Sequence, residues 1–101
     1  MQQNYPARTT IIELDFPFTA ANGEVISSVT MRSPTVRDRL VRARDNTLQQ
    51  EADTRMIATL CGLGYDDILN MEGADYLRLE EQFTVFLTPP AKKTEKLKTT
   101  S

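Results

Sequence analysis

Histidine is missing from these 101 residues, and with it the usual acid–base side chain and the commonest metal ligand. One cysteine, Cys61, rules out an internal disulfide and suits a reducing compartment. Cys61 falls on the apolar side of a helical stretch, the place of a small buried hydrophobe. No apolar run approaches the roughly 20 residues of a membrane span. The opening MQQNYPARTT lacks the apolar segment of a signal peptide. Phosphate-binding glycine loops and the spacings of zinc or calcium sites are also missing. Asp66-Asp67 and Glu80-Glu81 are adjacent pairs, which on a helix diverge by about 100° and form no two-carboxylate site by themselves. These absences point to a non-catalytic protein with no cofactor and no metal.

Charge is present but unevenly placed. The net charge is −2, yet Arg32, Arg37, Arg39, Arg42 and Arg44 crowd one stretch, and lysine occurs only at Lys92, Lys93, Lys96 and Lys98. Acids among the arginines and an overall acidic balance weigh against nucleic acid, which stays open as the partner of a small regulator using the arginine-rich helix.

Patterning predicts one α+β domain over residues 10–88, with a flexible lead-in at 1–9 and a flexible lysine-rich tail at 89–101. An antiparallel hairpin at 10–32 is expected to pack on a small bundle of three to four helices. In its first strand Ile12, Leu14, Phe16 and Phe18 alternate onto one face, with Pro17 at an edge or end. Asn22-Gly23 marks the turn. In the second strand a bulge at Ser27-Ser28 brings Ile26, Val29 and Met31 to one face.

Helices follow at about 34–45, 47–61, 65–70 and 73–87. Ser33-Pro34 reads as the first helix start, and Val36, Leu40 and Ala43 as its apolar stripe. Asn46 or Thr47 is expected to cap the second helix, with Glu51 pairing to Arg55, and Gly62 to end it. The last helix is the most apolar segment, placing Tyr76, Leu79, Phe83, Phe86 and Leu87 on one face. These five are the candidate partner-binding residues. Tyr76, Leu79 and Phe83 also suit the core, while Phe86 and Leu87 sit at the frayed end beside Pro89-Pro90, where the domain has least to cover them.

The ordered set VTMRSPTVRD, MIATLCGLGYDDILN and ADYLRLEEQFTVFL resembles the tail assembly chaperones of contractile-tailed, Mu-like bacteriophages and prophages. The shared elements fall on Val29, Met31, Arg32, Pro34 and Asp38, then on Ala74, Asp75, Tyr76, Leu79, Phe86 and Leu87. Val29 and Met31 stand where the family has leucines, and Arg37–Arg44 is richer in arginine than the family pattern. The resemblance implies a chaperone that binds the long helical tape measure protein and promotes tail tube assembly. It further implies contact with tail tube subunits or with a longer, frameshifted form of itself, for which Lys92-Lys93 is the candidate slippage point. Action in the host bacterial cytoplasm and absence from the mature virion follow from the same resemblance. A minor structural tail protein is the other reading within that setting.

Overall fold

The computed structural model describes residues 8–88. The expected lysine-rich tail, the slippage site at Lys92-Lys93 and most of the lead-in lie outside the described residues. Two antiparallel strands, β1 (Thr9–Thr19) and β2 (Val25–Arg32), precede four helices: α1 (Val36–Arg44), α2 (Gln49–Cys61), α3 (Tyr65–Ile68) and α4 (Gly73–Phe86). The α+β hairpin-and-helices architecture is the one the patterning predicts. At the start of the described residues the Arg8 carbonyl accepts the Ser33 N–H, and Thr9 pairs with Arg32.

Alternation makes the hairpin two-faced, and the inner face supplies Leu14, Val29 and Met31 to the core. The ladder runs from Thr9↔Arg32 to Glu13↔Ser28 and resumes at Phe18↔Ile26, so Ser27 alone stands opposite residues 14–17. The irregularity therefore lies mainly on β1, across from the expected Ser27-Ser28 site. It keeps Ile26 on the core side with Val29 and Met31. It also corrects the reading of Phe16, which turns out of the apolar face and is 54% exposed. Pro17, with no N–H to give, sits in this break rather than ending the strand.

The turn closes through Gly23 N–H to Ala20 O at 2.9 Å, with Gly23 at φ 92°, a conformation that glycine adopts without steric cost. Asn22 Oδ1 accepts the Glu24 N–H at 2.9 Å, and Asp67 Oδ1 in α3 accepts the Ala21 N–H at 2.9 Å. Asp67 thus acts beyond its charge at a helix start, by tying the hairpin turn to α3.

α2 and α4 cover the hairpin's inner face. Met56, Ile57 and Leu60 from α2 meet Leu79 and Phe86 from α4, with Ile68 and Met71 closing the end near α3. Gly62 at φ 69° stops α2, with Leu63 N–H reaching back to Ala58 O at 2.9 Å and Leu63 folding onto the core. No side chain caps the start of α2: Leu48 holds the cap position, and Thr47 is engaged by Asp45 instead. Arg55 likewise pairs with Asp45 at 2.9 Å rather than with Glu51.

α1 begins two residues later than Ser33-Pro34 suggests. Thr35 is the cap, in a capping box with Asp38: each side chain bonds the other's backbone N–H, at 2.8 and 3.2 Å. Arg32 grips the same carboxylate through two bonds of 2.7 and 3.1 Å. These contacts, the Arg32 bond foremost, outweigh burial and hold the Asp38 carboxyl at about 2 against a usual 3.8. A carboxylate depressed on folding stabilises the fold above its unfolded value, and that contribution disappears as pH falls through the folded value. The thermal midpoint is therefore expected to stay level from about pH 7 to 5 and to fall below about pH 4. Asp38→Asn should remove part of that acid slope in a series of melts, and an unchanged slope would show that Asp38 carries none of it.

Candidate partner-binding groove

Among the described helices α1 alone buries no residue. It is held instead by polar contacts: Asp38 to Arg32, Arg42 to Asp53 at 2.8 Å, and, just past its end, Asp45 to Arg55. Arg55 is steadied in turn by stacking on Tyr65, 4.6 Å above the ring centroid. α1 thus stands on α2 like a rail on posts, and concave surface opens beside and beneath it.

Three depressions that share Met56 lie along α2. One of about 180 Å³ lies between α1 and α2, with Val41, Ala52 and Met56 in its walls. A second, about 360 Å³, is bounded by Arg39, Arg42 and Ala43 of α1, by Asp53 and Met56, and by Phe83 and Leu87 at the end of α4. The third, about 250 Å³, continues between α2 and α4 past Glu80 and Thr84. Met56 belongs to all three and forms their common floor.

The five candidate residues from the last helix separate. Leu79 is fully buried and belongs to the core with Met31. Tyr76 is half-buried against the core, its hydroxyl 3.1 Å from Thr54 Oγ1. Phe83 packs on the core with one side and lines the groove with the other. Leu87, 43% exposed, is in the groove wall. Phe86 departs from the expectation that it is poorly covered: it is only 8% exposed. The reason is long-range. The Arg8 guanidinium lies 5.3 Å from the Phe86 ring centroid and donates to the Phe86 carbonyl at 3.1 Å, so the start of the described chain closes over the end of α4.

The groove's other contributors include Met56, Asp53, Ala43 and Val41, none of them among the candidate binding residues read from the sequence, although Ala43 belongs to the α1 stripe. A signal existed for one of them: Val41 lies off the Val36–Leu40–Ala43 stripe, so a helix with apolar residues on two sides has two surfaces to satisfy.

A second constellation sets the groove's frame. The break in β1 frees the N–H groups of Asp15 and Phe16, and Asp75 in the first turn of α4 accepts both at 3.0 Å. Burial acts to raise the Asp75 carboxyl, but the Arg78 bond at 2.6 Å and the two N–H bonds prevail and hold it below the usual range. α4 is pinned to β1 at its start by Asp75 and capped by Arg8 at its end, which fixes where Phe83 and Leu87 project.

No histidine, cysteine or lysine is among the residues that line the groove. Burial pushes the Cys61 thiol up to about 12. Among the described residues no group of three histidine, cysteine or carboxylate side chains is placed to hold a metal ion. No described helix is long and apolar enough to cross a membrane. The arrangement offers an apolar floor, charged rims and a wall that ends in exposed leucine.

Comparison with known proteins gives one family: a family model described as "Phage tail assembly chaperone proteins, E, or 41 or 14" matches residues 11–88. That span contains all of the hairpin but Thr9 and Thr10, every described helix and the residues that line the groove. No curated protein matches the chain. No solved structure matches it either.

Proposed function

The chain belongs to the phage tail assembly chaperone family and so has a role in tail assembly, and from that premise we propose that it is a non-catalytic chaperone for the tape measure protein. It binds this long helical client in the host bacterial cytoplasm, keeps its apolar stripes from aggregating, and hands it to tail tube subunits. The chaperone itself leaves before the particle is complete. The observation that carries the reading is the groove under α1, where Leu87 is exposed and Phe83 half-buried above Met56, the core residue that forms the floor. A helix laid into such a groove by its apolar face is a common recognition mode. Client capture needs only this surface, without a reacting group.

Co-expression with the long, coiled-coil-rich tail protein tests the proposal. The client should become soluble and co-purify with the chain; a client that does neither overturns it. Abundant peptides of the chain in purified particles would contradict its departure before completion. Leu87→Ser separates binding from folding. Leu87 is exposed, so the melt should shift by only a few degrees, while client capture should weaken about tenfold, the scale of losing one buried leucine contact. An unchanged capture would remove Leu87 from the binding surface.

A further inference from the structure

The outward side of α1 carries a pattern that the core does not use and that the groove meets only along its edges, at Arg37, Arg39 and Ala43. Val36, Leu40 and Ala43 fall within about 60° of one another around the helix. Val36 is 74% and Leu40 53% exposed. Arg37 and Arg44 border this strip on one side and Arg39 on the other. These three arginines enter no ion pair among the described residues, because each nearby aspartate is already taken: Asp38 by Arg32, Asp45 by Arg55 and Asp53 by Arg42. An unpartnered apolar strip between two rows of unneutralised cations is half of a coiled-coil-like interface.

We propose that this face seats an amphipathic helix of the client whose apolar stripe is flanked on both sides by Asp or Glu. The inference rests on the helical-client reading and specifies which of the client's helices binds. Charge complementarity selects the occupant. The partner's leucine-type residues cover Val36, Leu40 and Ala43, and its acids meet Arg37 and Arg44 on one edge and Arg39 on the other. A second copy of this chain does not fit, since α1 carries four arginines against one aspartate and two such faces repel. Nucleic acid fits less well, because a phosphate backbone would leave the apolar strip uncovered and would approach the acids Asp53 and Glu80 in the adjoining groove. α1 spans only about 14 Å, and Arg39 and Ala43 also line the groove that holds Phe83 and Leu87. A client helix longer than α1 therefore runs from the strip into the groove as one continuous seat.

The test uses the full chain and three labelled probes: an 18-residue synthetic helix with a leucine stripe flanked by glutamates, its lysine-flanked counterpart, and a short DNA duplex. Binding is read by fluorescence anisotropy at low salt. The glutamate-flanked peptide should bind about tenfold more tightly than the lysine-flanked one, with a preference that shrinks as salt rises. In the triple variant R37E/R39E/R44E the preference should reverse, and Leu40→Ser should weaken both peptides. All four positions are exposed, and a thermal melt verifies that the variants fold. Equal binding of the two peptides, or an unreversed preference in the triple variant, overturns the proposal. So does tighter binding of the duplex than of either peptide, lost in the same variant, which would assign α1 to phosphate.

Co-expression with the client separates this inference from the function it rests on. If the native chain captures the client and the triple variant does so equally well, the α1 assignment falls and the chaperone reading stands. If the native chain fails to capture the client while the peptide preference reverses as expected, the tape measure assignment falls and the charge specificity of α1 stands.

Discussion

Asp75→Ala is expected to lower the thermal midpoint by roughly 12–24 °C, the largest effect of any substitution outside the apolar core. Asp75 is fully buried, and its carboxylate is the acceptor for the N–H groups of Asp15 and Phe16. The break in β1 has removed both groups from the ladder, so no strand partner can replace the lost acceptor. Each N–H left without a partner costs about 1–3 kcal/mol, giving a loss of about 3 kcal/mol for the pair once water reaches part of the site. Arg78 is better exposed and can rehydrate, so it adds little to the loss. Asp75→Asn is the informative companion. It keeps size and one acceptor oxygen but turns an amide NH₂ toward a backbone donor, so it should be nearly as damaging as alanine. Amide hydrogen exchange at Asp15 and Phe16 should accelerate in both variants. A neutral Asn variant would mean that shape, not acceptance of two donors, is what the site requires.

Leu79→Ala should cost about 3–4 kcal/mol, as expected for a buried leucine whose cavity cannot collapse. Leu79 has no exposed surface and sits against Met31 and the α2 face, between two elements that are themselves fixed. The loss should appear in the denaturant midpoint with little change in slope, the mark of altered stability rather than altered compactness. Its contrast with Leu87→Ser is the useful part. Both leucines lie on the stripe of α4, yet Leu79→Ala should weaken client capture only in proportion to the fraction unfolded. A binding defect in fully folded Leu79→Ala protein would show that α4 turns or opens when it meets its client.

Much of this architecture was legible from local chemistry. Alternation in 10–18, the Asn22-Gly23 turn and Gly62 are short-range signals, and the structure puts strand, turn and helix end where they point. The start of α1 was legible too, although the more familiar Ser33-Pro34 pairing masks it: Thr35 and Asp38 stand three apart, the spacing of a capping box. Phe16 was harder, because alternation assumes an unbroken ladder and the break in β1 resets which face each residue takes. Asp75 reads from sequence as an acid at a helix N-terminus, which it is, but nothing local announces that two freed amides from β1 wait above it.

By itself the sequence determined the elements, their order, the absence of histidine and the membership of Tyr76, Leu79, Phe83, Phe86 and Leu87 in one helical stripe. Periodicity reports which residues share a face. It carries no information on what that face meets. Tertiary structure decided that Leu79 lies in the core, that Arg8 closes over Phe86, that Leu87 stays open, and that α1 turns its stripe outward on three ion pairs. The physical reason is area. The hairpin has one inner face, α2 and α4 suffice to cover it, and the apolar strip of α1 is left exposed.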